Sequence, residues 1–254
     1  FTVTAINVAT GQSAGTCQVI SPATSCTVAG LTNGVAYNFS AIAENSSGVS
    51  TATLAGPITP STVPGSPTSP SATVENGAAT VSFTAPSVTG GTPITSYTVT
   101  ASSGAQCTVN APATSCTIAG LTNGTAYTFA VTANNGLFTS SASTASPSVV
   151  PATVPSAPTS VTATSTTSGS ATVTFTAPSD GGSAITGYTV TPSPATEGAS
   201  CTGSGISYTC TGLTDGVAYT FAVVAVNAIG NSTAGTNSSA LTTQGAASAP
   251  TTIS

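Results

Sequence analysis

The sequence predicts an all-β chain of tandem seven-stranded sandwiches, and three observations carry that prediction. Its 254 residues form short runs rich in Val, Thr, Ile and aromatic side chains, separated by Gly, Pro and Ser and without helical periodicity. Three markers recur in one order: an extended segment ("FTVTA" at Phe1, "YTVTA" at Tyr97, "YTVTP" at Tyr188), a cysteine pair, and a Gly-Leu-Thr-Asn/Asp-Gly turn opening an aromatic strand. The first cysteine of each pair, Cys17, Cys107 and Cys201, sets a period of about ninety residues. Turn signals at that density leave room for the strands of one sandwich per repeat.

In the third repeat the strands are expected near 158–163, 171–176, 185–191, 199–201, 208–213, 218–227 and 233–241. Asp180-Gly181 and Asp215-Gly216 are turn signals between them. The joints between repeats, "TPSTVPGSPTSP" from Thr59 and "SPSVVPATVPSAP" from Ser146, are rich in proline, which fixes φ and favours extended chain. They read as short, stiff links, so the repeats are expected to line up as a rod.

The pattern "APSDGGSAITGYTVTP" from Ala177, followed by "GLTDGVAYTFAVVAVNAIGNS" from Gly212, resembles a fibronectin type III domain of the kind found in bacterial secreted and cell-surface proteins. The resemblance extends over essentially the whole chain and implies an immunoglobulin-like sandwich. It also implies a corner in each repeat, where a leucine and a tyrosine enter the core and the tyrosine hydroxyl bonds back to the backbone. The matching pairs are Leu31 with Tyr37, Leu121 with Tyr127, and Leu213 with Tyr219. The family's second strand usually carries a core tryptophan, whereas Phe83 and Phe175 stand there in this chain. On this template, 1–60 is a domain lacking its first two strands, 61–152 and 153–245 are complete domains, and 246–254 begins a following domain or linker. The uncovered first domain is expected to be completed by residues that precede Phe1 in a longer precursor, with donation from a neighbouring molecule as the alternative.

The six cysteines fall in three equal pairs, Cys17/Cys26, Cys107/Cys116 and Cys201/Cys210, which argues for a disulfide inside each repeat. The metal alternative fits poorly, because tetrahedral zinc sites prefer shorter spacings and usually histidine, of which there is none. A loop this short is worth ~2–3 kcal/mol by chain entropy. Each bridge is expected to staple the fourth strand to the fifth where the chain crosses between sheets, and persistent disulfides imply an oxidising, extracellular setting.

Charge is the anomaly: charged residues make up 2% of the chain, against roughly 25% in ordinary proteins. With no Lys or Arg, the electrostatic route to nucleic acid is closed. No run approaches the ~20 apolar residues of a spanning helix, so no transmembrane segment is expected. Catalysis lacks a histidine base and a lysine, and the five carboxylates, Glu44, Glu75, Asp180, Glu197 and Asp215, are scattered over three repeats. Neither a catalytic site, a metal site nor a cofactor is expected.

Sequons at Asn38, Asn45, Asn123, Asn231 and Asn237 are candidates for surface glycan. Alternation along the last aromatic strand sends Tyr219, Phe221, Val223 and Ala225 inward, leaving Ala222, Val224 and Val226 outward as a candidate lateral contact. Without Lys or Arg, trypsin-like proteases find no cleavage site. These features together point to a structural segment of a long surface protein (stalk, adhesin shaft, sheath or filament subunit) whose partners are copies of itself or neighbouring domains. The alternative is a spacer or accessory module beside a secreted carbohydrate-active enzyme.

Overall fold

The structure is a computed structural model that describes residues 1–245, so the expected start of a further domain at 246–254 lies outside the described residues. All regular structure in it is β, as the β-branched, period-2 sequence requires, with no helix among the described residues. The chain forms two compact units. One comprises Phe1–Thr73, Thr80–Ile118 and Tyr127–Ser148; the other comprises Val74–Ala79, Ala119–Ala126 and, of the described residues, 149–245.

The first repeat contributes β1 (Thr2–Asn7), β2 (Ser13–Gln18), β3 (Tyr37–Ile42), a small ribbon of β4 (Glu44–Asn45) and β5 (Gly48–Val49), and β6 (Thr53–Ile58). Its sheet runs β2-β1-β3-β6. Ala5 and Tyr37 are buried, but Val3, Phe39 and Ala41 remain half-exposed because no second layer covers them among the described residues. The segment "SCTVA" at 25–29 is not a strand, although the matching "SCTIA" of the second repeat is. A lone extended segment cannot satisfy its backbone groups without a partner, and here β2 packs against it without forming a ladder with it.

The second repeat forms β7 (Thr68–Glu75), β8 (Ala78–Thr84), β9 (Ser96–Ala101), β10 (Gln106–Asn110), β11 (Ser115–Ala119) and β12 (Phe129–Asn134). They make two sheets, β11-β8-β7 and β10-β9-β12. Every second residue points inward: Ala79, Val81 and Phe83 from β8, Tyr97, Val99 and Ala101 from β9, and Phe129, Val131 and Ala133 from β12 are all buried. Phe83 packs on Tyr97 with ring centroids 4.9 Å apart, a tilted pair in the place where the family keeps tryptophan.

In the third repeat, β13 (Thr159–Thr167), β14 (Ser170–Thr176), β15 (Ile185–Ser193), β16 (Ser200–Ser204), β17 (Ser207–Thr211), β18 (Ala218–Asn227) and β19 (Leu241–Thr242) form the sheets β13-β14-β17-β16 and β15-β18-β19. The core gathers Val161, Ala171, Val173, Phe175, Val190, Leu213, Tyr219, Phe221 and Val223. Phe175 lies 4.7 Å from Tyr188, repeating the aromatic pair of the second repeat.

Two strand expectations need correction. The bridge Cys107–Cys116 does join strands of different sheets, β10 and β11. In the third repeat, however, β16 and β17 are neighbours in one sheet, with Cys201 directly opposite Cys210. The cause is local: "SGIS" at 204–207 makes a two-residue hairpin through Gly205, at φ +59°, whereas "NAPAT" at 110–114 in the second repeat does not fold back on its own strand.

The expected strand at 233–241 is regular only at Leu241–Thr242. Before it, Ser232, Gly235 and Ser238 donate their N–H groups to the carbonyls of Ala225, Val223 and Phe221. This edge segment therefore advances three residues for every two of β18. Serine hydroxyls take up the mismatch: Ser232 Oγ accepts from the Ala225 N–H (2.9 Å) and Ser238 Oγ from the Phe221 N–H (3.1 Å). The second repeat does the same with Ser140, Ser143 and Ser146 against Ala133, Val131 and Phe129, at 2.9, 3.0 and 3.0 Å.

Candidate interaction surface

The residues singled out by sequence fall into three groups: those that lock a sandwich, those that join repeats, and those that face outward. In the first group, the bridges Cys17–Cys26, Cys107–Cys116 and Cys201–Cys210 are all formed and leave no free cysteine among the described residues. Tyr37, Tyr127 and Tyr219 are buried, Leu121 and Leu213 are buried, and Leu31 is half-exposed. The Thr32 N–H donates to the Tyr37 hydroxyl at 3.1 Å and the Thr214 N–H to the Tyr219 hydroxyl at 3.1 Å. A second hydroxyl, Thr196 Oγ1, lies 2.6 Å from that of Tyr219, and the two contacts hold the phenol below its usual pKa.

The corner turn is itself clamped. Asp215 accepts the Ser168 hydroxyl and, second to it, the Gly169 N–H at 2.9 Å, bonds that hold its carboxyl below the ordinary carboxylate value. Asn123 fills the same place in the second repeat, accepting the Gly77 N–H at 2.8 Å. Asp180 accepts the Gly182 N–H at 2.9 Å, as an Asp-Gly turn demands. All five carboxylates are exposed, and no group of three metal-ligating side chains stands together among the described residues.

The second group was missed by sequence reasoning. Asn227 is 4% exposed, and its side chain makes five hydrogen-bonding contacts. Its Nδ2 donates to the carbonyls of Thr153 (2.8 Å), Asp180 (2.8 Å) and Ser183 (3.3 Å), while its Oδ1 accepts from Ile229 and Gly230. Asn135 matches it, donating to the carbonyls of Thr62 and Thr89 at 3.0 Å each. Each asparagine thus ties the proline-rich joint to a Gly-Gly loop. A Cβ on Gly91 would stand 2.5 Å from the Gly34 nitrogen, and one on Gly182 would stand 2.3 Å from the Gly124 nitrogen, so only glycine allows these backbones to approach. The available signal was a polar residue at an inward position: Asn227 continues the series Tyr219, Phe221, Val223, Ala225.

The outward faces are almost free of charge. On the β10-β9-β12 sheet three rows lie side by side: Asn110, Ser96 and Asn134; Thr108, Thr98 and Thr132; Gln106, Thr100 and Ala130. Thr98 and Thr108 share a hydroxyl contact of 3.1 Å. On β18, Ala222, Val224 and Val226 alternate with the buried set and are half-exposed, paired across to Thr191, Thr189 and Gly187 of β15. Among the sequons, Asn45, Asn231 and Asn237 are exposed, whereas Asn38 and Asn123 are half-buried. The Asn123 side chain is already engaged by Gly77 and Asn76. No helix of the structure is long and apolar enough to cross a membrane.

Paired antiparallel sheets over an aromatic core in the second and third repeats, with a tyrosine hydroxyl bonded to the backbone of the preceding turn in the first and third, define an immunoglobulin-like all-β module used in tandem. The fibronectin type III domain model matches residues 65–149 and 156–241, and the chain belongs to that family. Modules of this family are generally non-catalytic, and two of them stand in tandem here. No curated protein matches the chain.

Proposed function

We propose that this chain is a non-catalytic structural segment of a long extracellular or cell-surface polypeptide, a stalk or filament element whose repeats associate side by side or end to end. The observation that carries the reading is the uncharged hydroxyl and amide face of the β10-β9-β12 sheet, nine outward side chains without one ionisable group. Charge normally keeps folded proteins apart. A face that is hydrated but not repulsive is suited to packing against a copy of itself. Three disulfides fit an oxidising environment, and glycan at the exposed Asn45, Asn231 or Asn237 would sit clear of the sandwich cores. Electron microscopy of the native assembly tests the proposal. Ordered fibres or bundles are expected, and uniformly dispersed single chains would refute it.

A further inference from the structure

The three repeats differ in what flanks the strand that begins each "(F/Y)TVT" segment. In the first, β1 lies between β2 and β3; in the second, β9 lies between β10 and β12. In the third, β16 has moved to the opposite sheet, so β15 is hydrogen-bonded to β18 alone and its other edge is unpaired among the described residues. This edge spans Ile185–Ser193 and has no charged residue, and its neighbour β18 has none either. Proteins protect open edges with lysine, proline, inward charges, short strands or bulges. In β15 the register is broken between Ile185 and Gly187 and Pro192 lacks an N–H, which leaves 187–191 as a regular stretch that carries none of these devices.

From this geometry we infer that the open edge of β15 is a strand-addition site whose occupant is β15 of a second copy of this chain, paired antiparallel about a two-fold axis. The inference deepens the lateral association proposed above and rests on it. The chain itself shows what the position accepts. β2 ("SAGTCQ") and β10 ("QCTVN") occupy it in the other repeats, both uncharged and both setting a threonine against a threonine, Thr16 on Thr4 and Thr108 on Thr98. A second β15 offers the same chemistry. Centred on Thr189, the self-pair sets Thr189 against Thr189, Gly187 against Thr191, and Tyr188 against Val190, so exposed threonines meet threonine or glycine and the inward apolar residues meet each other. Such a pairing is closed, giving a dimer with one continuous sheet. Val224, the register partner of Thr189, then flanks the new ladder in each copy.

Sedimentation velocity of the whole chain over a range of concentrations tests this, using Thr189→Lys and, as a matched charge on a different edge, Thr202→Lys on the exposed outer strand β16. The wild type and T202K are expected to dimerise. T189K, with like charges directly opposed, is expected to raise the dissociation constant by at least about tenfold. Hydrogen exchange on the wild type gives a readout that needs no variant: protection of amides 187–191 is expected to rise with concentration. The inference is overturned if the wild type stays monomeric, if T189K associates as tightly as the wild type, or if association leaves 187–191 exchanging at the same rate. In the second case, assemblies that persist in T189K leave lateral association standing and remove only this edge.

Discussion

Replacing Asn227 with aspartate keeps the size of the side chain and reverses the chemistry of half of it. The Oδ1 atom still accepts from Ile229 and Gly230, but the amide that donates to the carbonyls of Thr153, Asp180 and Ser183 becomes a second acceptor facing three acceptors. An amide carries two N–H groups, so the three contacts amount to two full bonds, and the two at 2.8 Å take most of the energy. Each is worth about 0.5–1.5 kcal/mol net, and stranding a buried carbonyl costs about 1–3 kcal/mol. Together these give a local destabilisation of at least about 3 kcal/mol, or more than about a hundredfold faster opening. Amide exchange at Thr153, whose N–H is bonded to the Gly181 carbonyl at 2.9 Å, reads that opening directly. Asn45 holds the matching place in the first repeat but is exposed, with no Gly-Gly loop beneath it among the described residues. Asn45→Asp should therefore change stability by less than about 0.5 kcal/mol. Equal effects of N227D and N45D, or no acceleration at Thr153, would show that the asparagine does not hold the joint.

Further outcomes follow from the same geometry. Ser143→Ala removes the hydroxyl that receives the Val131 N–H and should cost about 1–2 kcal/mol in denaturant unfolding. Its counterpart is Gly235, where a Cβ would stand 2.3 Å from the Pro158 carbonyl oxygen, so Gly235→Ser should destabilise the third repeat and not improve it. The carboxyl of Asp215 sits below its ordinary 3.8 in the folded chain. Its contribution is thus fully present above that value and is lost as pH falls through the folded pKa. Protection of the Gly169 amide should decline only in acid, and Asp215→Asn should remove that pH dependence; unchanged acid sensitivity would refute the assignment. Finally, replacing Cys107 and Cys116 with serine should lower the stability of the second sandwich by about 2–3 kcal/mol, measured by urea unfolding against the intact bridge.

Much of this architecture is legible in the sequence because the relevant signals are periodic. Tyr219, Phe221, Val223 and Ala225 could be sent inward from alternation alone, and the three cysteine pairs announced themselves by equal spacing. What escaped was decided by single residues. Gly205, in place of a proline-containing loop, moved β16 from one sheet to the other, and a strand's partner is not written in its own period. The serine segment escaped for a different reason: its three-residue advance matches neither the helical nor the strand repeat, so Ser140, Ser143 and Ser146 read as an ordinary polar loop. Asn135 and Asn227 were readable as polar groups at inward positions, but their partners lie more than forty residues away, in a Gly-Gly loop and in a joint that composition describes only as proline-rich.

The serine segment also bears on how a chain without lysine keeps its sheets from growing. An arriving strand can add to an edge only if its amides and carbonyls keep step with those it meets, residue for residue. Along 232–238 the outermost chain advances three residues while its neighbour advances two, so the groups it turns to solvent come at intervals that no regular strand can follow. That border refuses company by rhythm and not by charge. The same sheet keeps an ordinary beat along 187–191 of β15, so of its two margins one is mistimed and the other is left open to an answering strand.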